Sequence, residues 1–138
     1  MRSKPWQPER IDQRVRDILD AIAKIEIYVD RISHEDFLGD EMHRDAVARQ
    51  ILIIAEASDK IFALERLQGV EGERSLVRRC PDIPWREIRD MGVLVRHIYG
   101  REDPEEFWAV ATQGDLRDLR TALIAGYPEL DLAQGKSN

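Results

Sequence analysis

Apolar residues return every three or four positions along this chain, and nowhere do they sustain a two-residue alternation. That spacing places them on one stripe of a helix and leaves no pleated face for a sheet. After Pro8-Glu9, the run Ile11, Val15, Ile18, Leu19, Ile22, Ile25, Val29 predicts a first helix over 9–32. Ser33 and the acidic His34-Glu35-Asp36 interrupt it, leaving one short turn for Phe37 and Leu38. A second helix over 40–67 starts at Asp40, carries Val47, Ile51, Ile54, Ile61 and Leu64, and is stopped by Gly69 and Gly72. A shorter helix over 73–80 ends at Cys80-Pro81. Asp82 then reads as an N-cap with Pro84 in the first turn, where a missing N–H does no harm. Trp85, Ile88, Met91, Val95 and Ile98 form the inward stripe of the next helix, to Gly100. Asp103-Pro104-Glu105 opens the last, which buries Phe107, Val110, Leu116, Leu119 and Leu123 and stops at Gly126. The expected fold is all-α: an antiparallel up-and-down bundle of four long helices plus short connecting helices. Its organisation is a short extension over 1–8, a helical domain over 9–125 and a flexible tail over 126–138.

At 138 residues the chain is long enough for one core. Cys80 is its single cysteine, which excludes an internal disulfide and a one-chain thiolate cluster and points to a reducing compartment. The longest apolar run, Ile51-Leu52-Ile53-Ile54-Ala55, is far too short for a membrane span. Met1-Arg2-Ser3-Lys4-Pro5-Trp6 lacks the apolar core of a secretion signal, so the expectation is a cytoplasmic protein with no membrane partner.

Charge is unevenly spread. Between Arg74 and Arg101, seven arginines face three carboxylates, a local balance of +4 in a chain of net charge −6. An acidic body argues against broad nucleic-acid binding, which needs clustered cations. A locally basic segment suits a focused anion site or, on charge alone, an ordinary solvated helix face.

That segment holds one histidine, His97, an imidazole able to move a proton near neutral pH or to serve as a half-buried structural group. Arg89 and Arg96 lie seven residues apart, so they project about 20° from one another on the helix. His97 lies about 100° round from Arg96, and Tyr99 about 160° from His97. A single helix does not converge these groups on one point; two copies about a two-fold axis could. Asp40 stands three residues before His43, but a bundle metal site needs such motifs on two helices, so no metal is expected. Glu56, set between Ala55 and Ala57, either pairs with an arginine of the basic segment or marks a polar edge. No phosphate-cradling glycine loop and no nucleophilic serine or cysteine motif is present.

Three pieces together resemble the HEPN family, specifically its HepT-like ribonuclease toxins, across about residues 10–125. They are His43-Arg44-Asp45-Ala46-Val47-Ala48-Arg49-Gln50 through Ile54-Ala55-Glu56-Ala57, then Ile83-Pro84-Trp85-Arg86-Glu87-Ile88, then Arg96-His97-Ile98-Tyr99 followed by Phe107-Trp108. The resemblance implies a homodimer with its active site between protomers, acting as a metal-independent endoribonuclease without a cofactor. It also implies a type VII-like toxin–antitoxin pair, in which a nucleotidyltransferase antitoxin silences the toxin by adding AMP to a tyrosine. The family motif is an arginine, four to six residues, histidine, any residue, tyrosine. The histidine falls on His97 and the tyrosine on Tyr99. The arginine does not fall on its usual place: five before His97 stands Gly92, followed by Val93. Arg96 and, less directly, Arg89 are the cations left to stabilise a phosphate.

On that reading His97 is general base or acid, Arg96 and Arg89 are phosphate stabilisers, Tyr99 is the AMP acceptor, and RNA is the substrate. RNA carries its own nucleophile, the 2′-OH. The rival reading is a non-catalytic HEPN module that dimerises and binds a nucleotidyltransferase or a nucleotide. Gly92 favours the rival, whereas the retained His97-x-Tyr99 favours the enzyme.

Overall fold

The computed structural model describes residues 10–97 and 103–132. Among them every regular element is helical, with α1 (Ile11–Asp30), α2 (His34–Leu38), α3 (Glu41–Gln68), α4 (Leu76–Arg79), α5 (Trp85–His97), α6 (Pro104–Thr112) and α7 (Asp115–Gly126), and 3-10 turns over Gly72–Arg74 and Pro128–Leu130. The all-α bundle expected from the periodicity is the one observed.

α3 is the spine. It packs along α1 on one side and α5 on the other. Its buried residues therefore spread beyond a single stripe: Val47, Ile51, Ile54 and Ile61 are joined by Ala48, Ala55 and Ala57, small enough for neighbouring helices to approach closely. Local chemistry marks its start, because the Asp40 carboxylate accepts the His43 amide at 3.1 Å and also meets His43 Nδ1 at 2.9 Å. This N-cap holds the Asp40 carboxyl below its ordinary range, the backbone hydrogen bond being the main cause. Ser58, fully buried on the same helix, satisfies its hydroxyl on the Ile54 carbonyl at 2.8 Å.

The fourth long helix is two helices, not one. α6 stops at Thr112 and α7 starts at Asp115 after Gly114, whose φ of +99° no ordinary helix contains. A side chain there would be strained by the backbone and would meet the Arg117 guanidinium at 2.9 Å. α6 is tied to α2 by His34, which stacks on Trp108 at 5.2 Å and contacts Glu105 at 2.6 Å.

The packed unit also runs past Gly126, where a loose tail was expected. Tyr127 and Leu132 are buried in the core, and Arg16 donates to the Leu130 carbonyl at 3.0 Å. Here the bundle closes around Arg79, whose guanidinium donates to the Arg74 and Gly126 carbonyls, each at 2.8 Å. It also covers the Tyr127 ring at 4.4 Å. Burial pushes the Tyr127 phenol well above its usual range, and burial pushes the Cys80 thiol up to about 11. Glu65, buried nearby, accepts the Leu76 amide at 2.6 Å; burial raises its carboxyl in spite of that bond.

Candidate functional site along the α3–α5 seam

The start of α5 is anchored by its first residue. Trp85 is buried, donates its indole N–H to the Cys80 carbonyl at 3.1 Å, and meets the Phe62 ring edge-on at 6.2 Å. Asp82 is not the cap expected of it. The Pro84 carbonyl, not that of Asp82, accepts the first helical bond, from the Ile88 amide at 3.1 Å, while the Trp85 amide folds back onto the Ile83 carbonyl. The helix thus begins two residues later than an Asp82 cap requires.

α5 runs antiparallel to α3, because successive contacts climb one helix as they descend the other. Arg89 Nε lies 2.7 Å from Asp59 Oδ1, and Arg96 Nη1 lies 3.5 Å from Glu56 Oε2. The first contact is short but off the hydrogen-bonding line, since Asp59 Oδ1 makes no hydrogen bond. It is a charge contact, and the Arg89 guanidinium also lies 5.8 Å from the Phe62 ring. Arg96 is the more sheltered of the two arginines, its side chain 31% exposed against 57% for Arg89.

Between these rungs the helices touch. A Cβ built on Gly92 would stand 2.4 Å from Ala55 Cβ, closer than real side chains come. Gly92 is buried in line with Trp85 and Val95, so it belongs to the inward stripe. Glycine here gives two backbones room to pass.

Arg89 and Arg96 share a face, as their spacing predicts, but seven residues separate them by about 10 Å along the axis. One protomer does not bring them together. His97 closes α5 immediately after Arg96. Its imidazole, together with Ile98 and Tyr99, lies outside the described residues. The sequence offers Glu56 either as a partner for an arginine of the basic segment or as a polar edge, and the structure shows the pairing, with Arg96; Asp59 is not among the residues the sequence singles out. The one signal available was that Glu56 and Asp59 stand three residues apart, on one face of α3. Among the described residues, no three His, Cys, Asp or Glu side chains gather in a way that could hold a metal ion. None of their helices is long and apolar enough to cross a membrane.

Residues 18–131 match the family described as "Ribonuclease HepT-like". The chain belongs to the HepT-like ribonuclease family. A curated relative, "Probable ribonuclease HepT" of Thermococcus cleftensis, is 35% identical over 106 residues, covering 77% of this chain and 86% of that protein. No solved structure matches the chain. At Gly92 the contact with Ala55 means that any side chain, an arginine included, would force α5 and α3 to shift. The cations that remain on this helix face, Arg89 and Arg96, are each held by a carboxylate of α3.

Proposed function

We propose that this HepT-like protein is an endoribonuclease toxin that cleaves RNA by internal attack of the 2′-OH. The observation carrying the reading is its membership of the ribonuclease family together with the adjacent Arg96-His97 pair at the end of α5. His97 takes the proton from the 2′-hydroxyl as that oxygen bonds to phosphorus. Arg96, with Arg89 further along the helix, stabilises the charge that develops on the non-bridging oxygens. The 5′-oxygen of the next nucleotide leaves with a proton, giving a 2′,3′-cyclic phosphate and a 5′-hydroxyl. The nucleophile belongs to the substrate, so the step requires neither a metal nor a cofactor.

A homodimer supports this chemistry, because two copies of α5 supply the convergence of imidazole and guanidinium that a single helix cannot. The protein acts in the cytoplasm beside a nucleotidyltransferase antitoxin that adds AMP to Tyr99, close enough to His97 in the chain for the adduct to obstruct the cleft. The organisation proposed is a helical domain over 9–125, with the packed residues 126–132 added to it.

The test is cleavage of RNA by purified protein in excess chelator, beside His97→Ala. Cyclic-phosphate ends from the wild type alone support the reading. Equal inertness of both proteins overturns it and leaves a second one, a non-catalytic HEPN module. The observation favouring that second reading is Gly92, where the contact with Ala55 leaves no room for the customary arginine.

A further inference from the structure

A groove of about 460 Å³ opens between the first half of α5, the middle of α3 and the α6–α7 junction. Its floor is apolar, formed by Ile51, Ile54, Ile88, Met91, Leu116 and Leu119. Four carboxylates line it as well: Asp82, Glu87, Asp115 and Asp118, all on exposed residues. None of the four has a hydrogen-bond or ion-pair partner for its side chain among the described residues. The neighbouring Arg86 and Arg117 do not line the groove.

Three of these acids have a local reason to exist. Glu87 lies in the first turn of α5, and Asp115 and Asp118 in the first turn of α7, where carboxylates complement the positive end of a helix. That accounts for each one separately. It does not account for their convergence on one hollow, where two helix ends, worth about half a charge each, leave roughly three negative charges uncompensated. Such a rim repels the phosphates of RNA. It attracts a ligand with cations at its edges and hydrocarbon at its centre, which is how an amphipathic helix fills a groove. The volume lies within the roughly 300–1,000 Å³ typical of ligand clefts and accepts a few large side chains.

We infer that this groove docks a basic amphipathic segment of a partner protein, apolar side chains on the floor and Lys or Arg on the rim. The inference does not depend on RNA cleavage, since the groove lies on the first half of α5 and His97 at its other end.

The probe is a fluorescein-labelled helical peptide of leucine and lysine, compared with its leucine–glutamate counterpart, spermidine and an oligouridylate. Binding is read by anisotropy and by methyl resonances of isoleucine-labelled protein. The leucine–lysine peptide should bind and shift the methyls of Ile51, Ile54, Ile83 and Ile88, leaving the exposed Ile27 unmoved. The triple variant Glu87→Gln, Asp115→Asn, Asp118→Asn should weaken it about tenfold. The control Asp20→Asn, Asp45→Asn, Glu71→Gln changes net charge equally at exposed sites outside the groove and should weaken it less than about twofold. Circular dichroism and thermal melting establish that both variants fold; if the rim triple does not, the single variant Asp118→Asn takes its place. Equal losses in the two variants, methyl shifts confined elsewhere, or spermidine or oligouridylate competing as well as the peptide would overturn the inference. So would sedimentation showing that the rim variant changes the protein's own self-association, because the groove would then be filled by a second copy.

Discussion

Glu56 on α3 and Arg96 on α5 face each other across the seam, Oε2 to Nη1 at 3.5 Å, immediately before His97 in the chain. Both side chains are partly exposed, and the contact is long for a charge-assisted hydrogen bond, so it restrains Arg96 without locking it. On the proposed mechanism, an approaching phosphate competes with Glu56 for the same guanidinium. Glu56→Gln should therefore tighten RNA binding by up to about fivefold, the scale of an exposed ion pair of about 0.2–1 kcal/mol. Filter binding at fixed salt measures it, using as the background His97→Ala, which the proposed mechanism makes inert. Weaker binding would show that Glu56 holds Arg96 in its working position.

Between the two arginines, Arg96→Ala should lower cleavage more than Arg89→Ala. Arg96 adjoins His97 in the chain, whereas the Arg89 guanidinium is engaged by Asp59 and lies near the Phe62 ring. Initial rates under single-turnover conditions decide the ranking, and the opposite order would move the phosphate to Arg89.

Gly92→Ala should destabilise the fold by about 1–3 kcal/mol, since the added methyl must push α5 off α3. Urea unfolding reads the loss, and Ala55→Gly in the same chain should recover part of it. Additivity of the two substitutions would mean that the helices do not touch there. Gly92→Arg should not raise activity, however well it restores the family pattern.

Alkali should unfold the protein through buried acids. The neutral Cys80 thiol is favoured in the fold, its pKa moving from 9.0 to about 11, and the Tyr127 phenol moves the same way. The thiol's contribution is complete below about pH 9 and is lost as pH rises towards 11, while the phenol's persists to higher pH. The stability advantage of wild type over Cys80→Ala should shrink across pH 8–11 in urea titrations. A constant difference would mean that the thiol never feels its burial. Iodoacetamide should correspondingly label Cys80 only when the chain unfolds.

Co-expression with a cognate nucleotidyltransferase should give an AMP-sized mass adduct that disappears in Tyr99→Phe. Its survival in that variant would transfer the modification to another residue.

How far the sequence could be read depended on whether local chemistry or long-range register decides a feature. α3 was legible to within a residue, because Asp40 signals its start and Gly69 its end. The division between α6 and α7 was not. Apolar residues continue at short spacing on both sides of Gly114, Trp108 and Leu119 falling within about 20° of one another on a continuous helix, and an isolated glycine is a weak break signal. The common face of Arg89 and Arg96 follows from a seven-residue spacing, but the carboxylates opposite them depend on how α5 slides along α3, which periodicity cannot express. Gly92 was visible as a departure from a motif; the reason for it, a methyl of Ala55, belongs to another helix.

Gly114 reaches further than its own turn. Val110 on one side of it and Asp115, Leu116, Asp118 and Leu119 on the other all line the same hollow, so one backbone torsion sets the spacing of that wall. A lineage could recalibrate which neighbour the molecule recognises by altering this elbow alone, with the Arg96–His97 end of α5 inherited untouched.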